Sequence, residues 1–340
     1  MILKITKNTD PVWKRKFFDV EVSPQITKIV DDMKETLAFT QGVGLAAPQV
    51  GYPYRLFIVD YQDLKETFIN PRIISTNNET DFFEEGCLSI PGYRGLAERA
   101  TELEIEYTDE KGKRKQAKVS GFYARIIQHE YDHLSSIFYV SHVKQKKDLY
   151  QFEPTKIVFF GSSDFTASQA EILKSLIGLS VVGDYKILLV VTSKGSPVES
   201  LAKEWALPTV TPDRLAKKVG DTFELTNQEI YQLIKKANPD ALVLVSYGKI
   251  LPKEILDLPK LAAVNIHPSL LPKYRGPAPI QAPILNGDKA TGVSIMKMNE
   301  RMDEGDIFIR AKYPLEGNET SDSLSRSLAE MSKELLHSTI

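Results

Sequence analysis

The run Gln128-His129-Glu130-Tyr131-Asp132-His133 constrains this chain more than any other, because it makes chemical sense on a helix. Positions i and i+4 of a helix share a face, so the imidazoles of His129 and His133 can grip one metal ion. Glu130 then stands beside the water that such a metal activates, placed to take and return its proton. The HExxH pattern points to metal-assisted attack of water on a carbonyl. By itself it names neither the metal nor the substrate, and two satisfied histidines on a polar helix would read the same way.

A hydrolytic metal site needs three protein ligands and one open position. The next histidine, His142, comes too early for the long metzincin motif. Upstream stands the only cysteine of the chain, in Glu84-Glu85-Gly86-Cys87-Leu88-Ser89. One cysteine cannot form an internal disulfide. A lone cysteine is by default a small buried hydrophobe; its glycine neighbour, which lets backbone approach a ligand closely, argues for another use. A third segment, Gly42-Val43-Gly44-Leu45-Ala46-Ala47-Pro48-Gln49, combines a Gly-x-Gly loop with Gln49, a neutral amide donor. Alone it would be a tight turn with a packed edge.

Taken in order, GVGLAAPQ, EGCLS and QHEYDH resemble the three signatures of peptide deformylases, over roughly residues 1–150. The resemblance implies an α+β deformylase-like domain with Cys87, His129 and His133 as metal ligands and Glu130 as general acid/base. It implies that Gln49 and the backbone N–H of Leu88 form an oxyanion hole for formamide hydrolysis. Gly44 is expected to hydrogen-bond the substrate through its backbone. Arg94, in Pro91-Gly92-Tyr93-Arg94-Gly95, is expected either to touch the peptide backbone or to be a surface arginine. Asp132 and Arg99 are expected to pair as structural support. A thiolate with two imidazoles suits Fe(II), Zn or Ni; the family's association with iron makes Fe(II) the expected ion. A metallopeptidase would share the HExxH pattern but not the Cys87 context. The substrates implied are nascent, ribosome-associated formylmethionyl peptides.

A charged stretch from Lys144 to Glu153 ends at the helix-breaking Pro154 and reads as a linker. The expected division is residues 1–150, a linker at 151–155, and a second domain at 156–340. A length of 340 residues suits two domains. About ten extended residues reach no more than ~35 Å. A net charge of −2 gives no whole-chain bias toward nucleic acid or membrane. The Met1-Ile2-Leu3-Lys4 start lacks a sustained apolar segment, and no apolar run approaches the ~20 residues of a membrane span. The expected compartment is the cytoplasm, with no membrane partner.

From Lys156 the texture changes. Apolar runs at 156–161, 186–192, 241–246 and 263–266 read as strands. A helix-like stretch follows Gly161 as far as Leu173, and further helical segments span Asn227–Ala237 and Ser321–Leu336. Strands alternating with helices imply an α/β, Rossmann-like domain with a parallel sheet, which binds ligands at the carboxyl ends of its strands. Gly161-Ser162-Ser163-Asp164 is not GxGxxG, which argues against a dinucleotide site.

The chemistry of this half is expected at Asn265-Ile266-His267-Pro268, where Asn265 and His267 alternate and so point to the same side. With Arg275-Gly276-Pro277-Ala278-Pro279-Ile280-Gln281, Ser246–Pro252 and Met302-Asp303-Glu304-Gly305-Asp306, residues 156–340 resemble folate-dependent formyltransferases, the methionyl-tRNA branch in particular. The resemblance implies formyl transfer from 10-formyltetrahydrofolate to an amine. Asn265 would stabilise the oxyanion, His267 would help deprotonate the amine, and Asp303 would orient His267 or relay protons. Asp306 is the neighbouring decoy; Asp303 precedes the glycine as the family pattern demands. No metal or covalent nucleophile is expected here.

The branch usually carries a long basic insertion after the second strand and a C-terminal barrel-like domain that contacts tRNA. Here the first place reads Thr192-Ser193-Lys194-Gly195-Ser196-Pro197-Val198-Glu199, and the chain stops at Ile340, so both are expected to be missing. Initiator methionyl-tRNA is the expected acceptor, because a deformylase partner belongs to the same cycle. An amino-sugar nucleotide acceptor and a non-catalytic tRNA- or ribosome-docking module are the competing readings.

Overall fold

The computed structural model describes residues 1–162, 168–220 and 222–340. Contacts divide the chain into two units, Met1–Glu153 with Val181–Asp184, and Pro154–Ser180 with Tyr185–Ile340.

The first unit begins with α1 (Pro24–Thr40), β1 (Gly44–Ala46), β2 (Leu56–Tyr61), β3 (Leu64–Thr76), β4 (Thr80–Cys87) and β5 (Ile90–Ala100). It continues through β6 (Glu102–Thr108), β7 (Arg114–Ser120), α2 (Gly121–His133) and β8 (Leu149–Gln151). Helix α1 starts where Ser23 Oγ accepts the Ile26 N–H, with proline in the first turn, and stops at Gln41 in the left-handed region. Its buried stripe of Ile26, Ile29, Val30, Met33 and Leu37 recurs at helical spacing and packs on Leu45, Leu56, Ile58 and Ile69.

Strands β1-β2-β3-β6-β7 form one antiparallel sheet and β4-β5-β8 a second. Helix α2 buries Ala124, Ile126 and Ile127 with Phe57, Phe68, Leu103 and Ile105 of the larger sheet. The smaller sheet carries Cys87 at the end of β4, before a two-residue turn, Leu88–Ser89. The charged stretch read as linker is partly ordered structure of this unit: Leu149, Tyr150 and Gln151 pair with Gly95, Arg94 and Tyr93. Backbone pairing to an open strand edge does not depend on side-chain polarity, so the composition concealed it.

The second unit runs β9 (Thr155–Gly161), α3 (Ser168–Val182), β10 (Tyr185–Val191), α4 (Pro197–Glu204), β11 (Thr209–Val210), β12 (Ala216–Val219), β13 (Thr222–Leu225), α5 (Gln228–Ala237) and β14 (Ala241–Val245). It ends with α6 (Lys253–Leu256), β15 (Ala262–His267), α7 (Gln281–Leu285), β16 (Ala290–Lys297), β17 (Ile307–Pro314) and α8 (Ser321–His337). The start of the helix-like stretch after Gly161, with Ser163 and Asp164, falls on residues 163–167 and lies outside the described residues.

Seven strands form one sheet in the order β11-β10-β9-β14-β15-β16-β17. The pairs from β11 to β15 are parallel, and β16 and β17 join antiparallel. The unit is therefore α/β with a mixed rather than wholly parallel sheet. The four apolar runs are its central strands, whose burial on both faces produces continuous hydrophobic sequence. Strand β17 lies at the edge with alternate residues exposed, so it lacks that signature. One face of the sheet packs Val158, Phe160, Leu242 and Leu244 on Ile230 and Ile234 of α5. Strand β15 ends at His267, at the carboxyl edge of the parallel strands.

Candidate functional site

In the first unit, α2 places His129 and His133 one turn apart, and β4 brings Cys87 to meet them. Their ligand atoms all lie within 4.8 Å of one another. Cys87 Sγ is 3.3 Å from His133 Nε2; a tetrahedral centre with ordinary Zn–S and Zn–N bonds sets such a pair about 3.5 Å apart. The far nitrogen of each imidazole is already engaged. His129 Nδ1 donates to Glu85 Oε2 at 2.8 Å, and His133 Nδ1 donates to the Ile137 carbonyl at 3.1 Å. Both rings therefore present Nε2 to the thiol side. The chain folds back to supply the Ile137 carbonyl through Ser136, which takes a left-handed φ of 58°. Trp13 and Phe138 wall His133, with ring centroids 5.6 and 5.3 Å away.

Burial pushes the Cys87 thiol up, but the His133 charge and hydrogen bonds with His129 and His133 outweigh it and hold the group at about 5. Burial also lifts the Glu130 carboxyl to about 7, against the lowering charges of His129 and His133. Glu130 Oε2 is buried without a hydrogen-bond partner. A soft, anionic donor set of one sulfur and two nitrogens, beside an orphaned carboxylate oxygen, suits a divalent transition metal with a ligand position left open.

Gln49 is buried, and its amide is oriented: Oε1 accepts the Ala46 N–H at 2.7 Å, which turns Nε2 toward Cys87 Sγ at 3.6 Å. Leu88 follows Cys87 directly in the β4–β5 turn. Gly44 lies against Glu130, where a Cβ would sit 2.6 Å from Oε1. Arg94 pairs with Gly86 across β4 and β5, and its guanidinium lies over that glycine, where a Cβ would meet Nη1 at 2.8 Å. All the residues singled out in this half thus converge on one region.

Beside Cys87, His129 and His133 runs an ionic network. Glu85 accepts from Arg99 Nε at 2.7 Å and Nη2 at 3.0 Å, and from Arg125 Nη1 at 2.7 Å. Arg99 Nη1 reaches Asp132 at 2.8 Å, which also meets His142 Nε2 at 2.8 Å. Burial would raise the Glu85 carboxyl, but hydrogen bonds from His129 and Arg99 hold it well below the usual carboxylate range. Arg99 and Asp132 pair, as read from the sequence; Glu85, Arg125 and His142 had no role assigned. The signal for Glu85 was its place two residues before Cys87, on the same face of the strand.

In the second unit, Asn265 and His267 both reach Asp303. Asn265 Nδ2 donates to Asp303 Oδ1 at 3.3 Å, and His267 Nδ1 lies 3.5 Å from the same oxygen. Asp303 Oδ2 accepts the Gly276 N–H at 2.9 Å. Asp303 holds a left-handed φ of 53°, a conformation costing about 1–3 kcal/mol that these bonds over-determine. The glycine two residues on has a packing cause: a Cβ on Gly305 would lie 1.7 Å from the Lys297 carbonyl oxygen. Asp306 is exposed, and the acid beside Asn265 and His267 is Asp303. His267 Nε2 lies 2.9 Å from the Tyr274 carbonyl, which can only accept, so Nε2 carries the proton and Nδ1 faces the carboxylate. That carbonyl was invisible in sequence because it depends on the loop fold, pinned where Ser294 Oγ donates to Ser269 O and accepts from Leu271 N. Among the described residues no helix is long and apolar enough to cross a membrane.

Two family models match the chain, one over each half. Residues 2–149 match the polypeptide deformylase family model and residues 155–340 the formyl transferase model. The methionyl-tRNA formyltransferase of Caldicellulosiruptor saccharolyticus is 40% identical over 195 residues, 54% of this chain and 58% of that protein. That of Prochlorococcus marinus is 38% identical over 192 residues, 53% of this chain and 54% of that protein. The chain thus spans little more than half the length of these curated relatives. A peptide deformylase from Thermotoga maritima is 33% identical, with 43% of this chain and 99% of that one covered and a TM-score of 0.42. One from Synechococcus elongatus is likewise 33% identical, covering 43% and 81%, with a TM-score of 0.42. The chain belongs to the formyl transferase family through residues 155–340 and to the polypeptide deformylase family through residues 2–149.

Proposed function

We propose that this chain is a bifunctional enzyme of the formylmethionine cycle: it hydrolyses formyl from the N-terminal formylmethionine of nascent peptides and transfers formyl from 10-formyltetrahydrofolate to initiator methionyl-tRNA. The observation that carries the first half is the convergence of Cys87, His129 and His133 within 4.8 Å beside the unpartnered oxygen of Glu130.

Cys87 and the Nε2 atoms of His129 and His133 would hold the ion, with Fe(II) preferred and Zn or Ni as substitutes. When bound it supplies Lewis acidity to water and to the formyl carbonyl. Glu130 takes a proton from the attacking water and returns it to the departing amine nitrogen, as the C–O bond forms and the C–N bond breaks. Gln49 Nε2 and the Leu88 N–H stabilise the developing oxyanion. Gly44 and Arg94 bind the peptide backbone.

In the second half the amine nitrogen attacks the formyl carbon, the bond to N10 of the folate breaks, and the amine proton passes to His267 Nδ1. Asn265 donates to the oxyanion, and Asp303 steadies the imidazolium before the proton leaves to the folate nitrogen. The family resemblance to named methionyl-tRNA formyltransferases supports the acceptor, and both reactions belong to the cytoplasm.

The β10–α4 connection, whose single basic residue between Thr192 and Pro197 is Lys194, favours a second reading with a smaller amine acceptor such as an amino-sugar nucleotide. The test is direct. Purified protein should formylate methionyl-tRNA in preference to the sugar nucleotide, and should release formate from formyl-Met peptides. Glu130→Ala should remove only formate release, and His267→Ala only formylation. Wild-type failure in either assay rejects that half; preference for the sugar nucleotide selects the second reading.

A further inference from the structure

Arg125 stands four residues before His129 on α2, so the two side chains leave the same face of the helix. Both end on the Glu85 carboxylate, His129 Nδ1 at Oε2 (2.8 Å) and Arg125 Nη1 at Oε1 (2.7 Å). One turn of helix, two side chains and one carboxylate close a ring. Arg99 grips the same carboxylate from β5, Nε at 2.7 Å and Nη2 at 3.0 Å, but its backbone belongs to the sheet and not to the ligand's own helix.

The rest of the guanidinium is committed outward. Arg125 Nη1 also donates to the Ala97 carbonyl at 3.0 Å, and Nη2 donates to the Asp81 carbonyl at 3.1 Å and to the Asp81 carboxylate. Asp81, Phe83 and Glu85 share one face of β4, and the Phe83 ring lies 5.6 Å from the guanidinium carbon. Arg125 is 4% exposed, far below what a solvating arginine shows.

We propose that Arg125 is a positioning residue for the metal ligand His129, acting through Glu85. This rests on the reading that Cys87, His129 and His133 hold a metal. The direction of Nε2 is set by the hydrogen bond Nδ1 makes, and that bond is only as fixed as the Glu85 rotamer. Arg99 alone lets the carboxylate follow β5; Arg125 ties it to α2, so ligand and carboxylate move together. A planar fork is needed because one guanidinium serves Glu85, Ala97 and Asp81 at once. Lysine would supply a single point charge.

The test compares wild type, Arg125→Met, Arg125→Lys and Asp81→Asn as metal-free and Co(II)-loaded proteins. Chelator competition gives the Co(II) affinity, visible absorption the ligand geometry, and the metal-free Tm the fold. Arg125→Met should bind Co(II) about 10- to 100-fold more weakly, with a shifted d–d band. Arg125→Lys should fall between it and wild type. A merely structural role would lower the metal-free Tm and leave the spectrum unchanged and the affinity within about twofold of wild type, well short of the loss expected for an outer-shell partner; that result overturns the proposal. Should Arg125→Met not fold, Asp81→Asn keeps Arg125 and its bonds to the Ala97 and Asp81 carbonyls but removes the charged partner at its outer end. A loss of about threefold is then expected, and unchanged affinity and spectrum overturn the proposal. Absence of Co(II) binding by wild type would instead defeat the metal-site reading.

Discussion

Gly44 and Glu130 meet in a space that admits no side chain: a Cβ on Gly44 would lie 2.6 Å from Oε1 and 2.8 Å from Cγ of Glu130. The glycine is the wall against which the carboxylate rests, in addition to any bond its backbone makes to substrate. Gly44→Ala must displace the whole side chain, because Cγ and Cδ are crowded as well as the carboxylate tip. Formate release should fall about 100-fold, the scale of a misplacement near 1 Å, with metal content unchanged. Near-normal turnover in this variant would refute the wall.

The Glu130 carboxyl, lifted by burial to about 7 against the charges of His129 and His133, sets a pH dependence. A base must be ionised, and a bound cation draws the value lower. Formate release should therefore rise with pH along an acid limb at or below about 7, and Glu130→Gln should cost about 10²–10⁴-fold in rate. Stability runs the other way. The folded value lies above the ordinary carboxylate value of 4.5, so this group's contribution is present below 4.5 and is lost as pH rises through about 7. The Tm of metal-free wild type, measured against Glu130→Gln, should decline over that window.

Cys87, held at about 5 by His133 and His129 despite its burial, should be a thiolate in the metal-free protein at neutral pH. Absorbance at the thiolate band, followed from acid to alkaline pH, should show its midpoint near 5. A midpoint in the ordinary thiol range, around 8.5, would show that the two imidazoles do not stabilise the anion.

Gly305 governs the other site from a distance. A Cβ there would lie 1.7 Å from the Lys297 carbonyl oxygen, a backbone atom that cannot swing aside. Gly305→Ala must shift the loop carrying Asp303, whose carboxylate contacts Asn265, His267 and Gly276. Formyl transfer should drop by about 100-fold while formate release persists. Loss of both, or of neither, would contradict a local role for this glycine.

Much of this was legible along the chain because it is local. The helical spacing of His129 and His133, the central strands buried on both faces, and the helical segment from Asn227 to Ala237 are statements about near neighbours. Strand β17 was not legible, since an exposed edge strand carries no continuous apolar run. Strand β8 was hidden by its charged surroundings, because its pairing with β5 uses backbone groups that every residue has.

The order of residues was enough to establish which donor types the chain offers, in what succession, and which elements carry them. Folding settled what each donor faces. Glu85 meets His129 across 44 residues and Asn265 meets Asp303 across 38. Those distant contacts turn Nε2 of His129 toward Cys87 and His133, and set Asp303 beside Asn265 and His267. A proton's position and a carboxylate's charge depend on burial and on the partner across the gap, and spacing along the chain fixes neither.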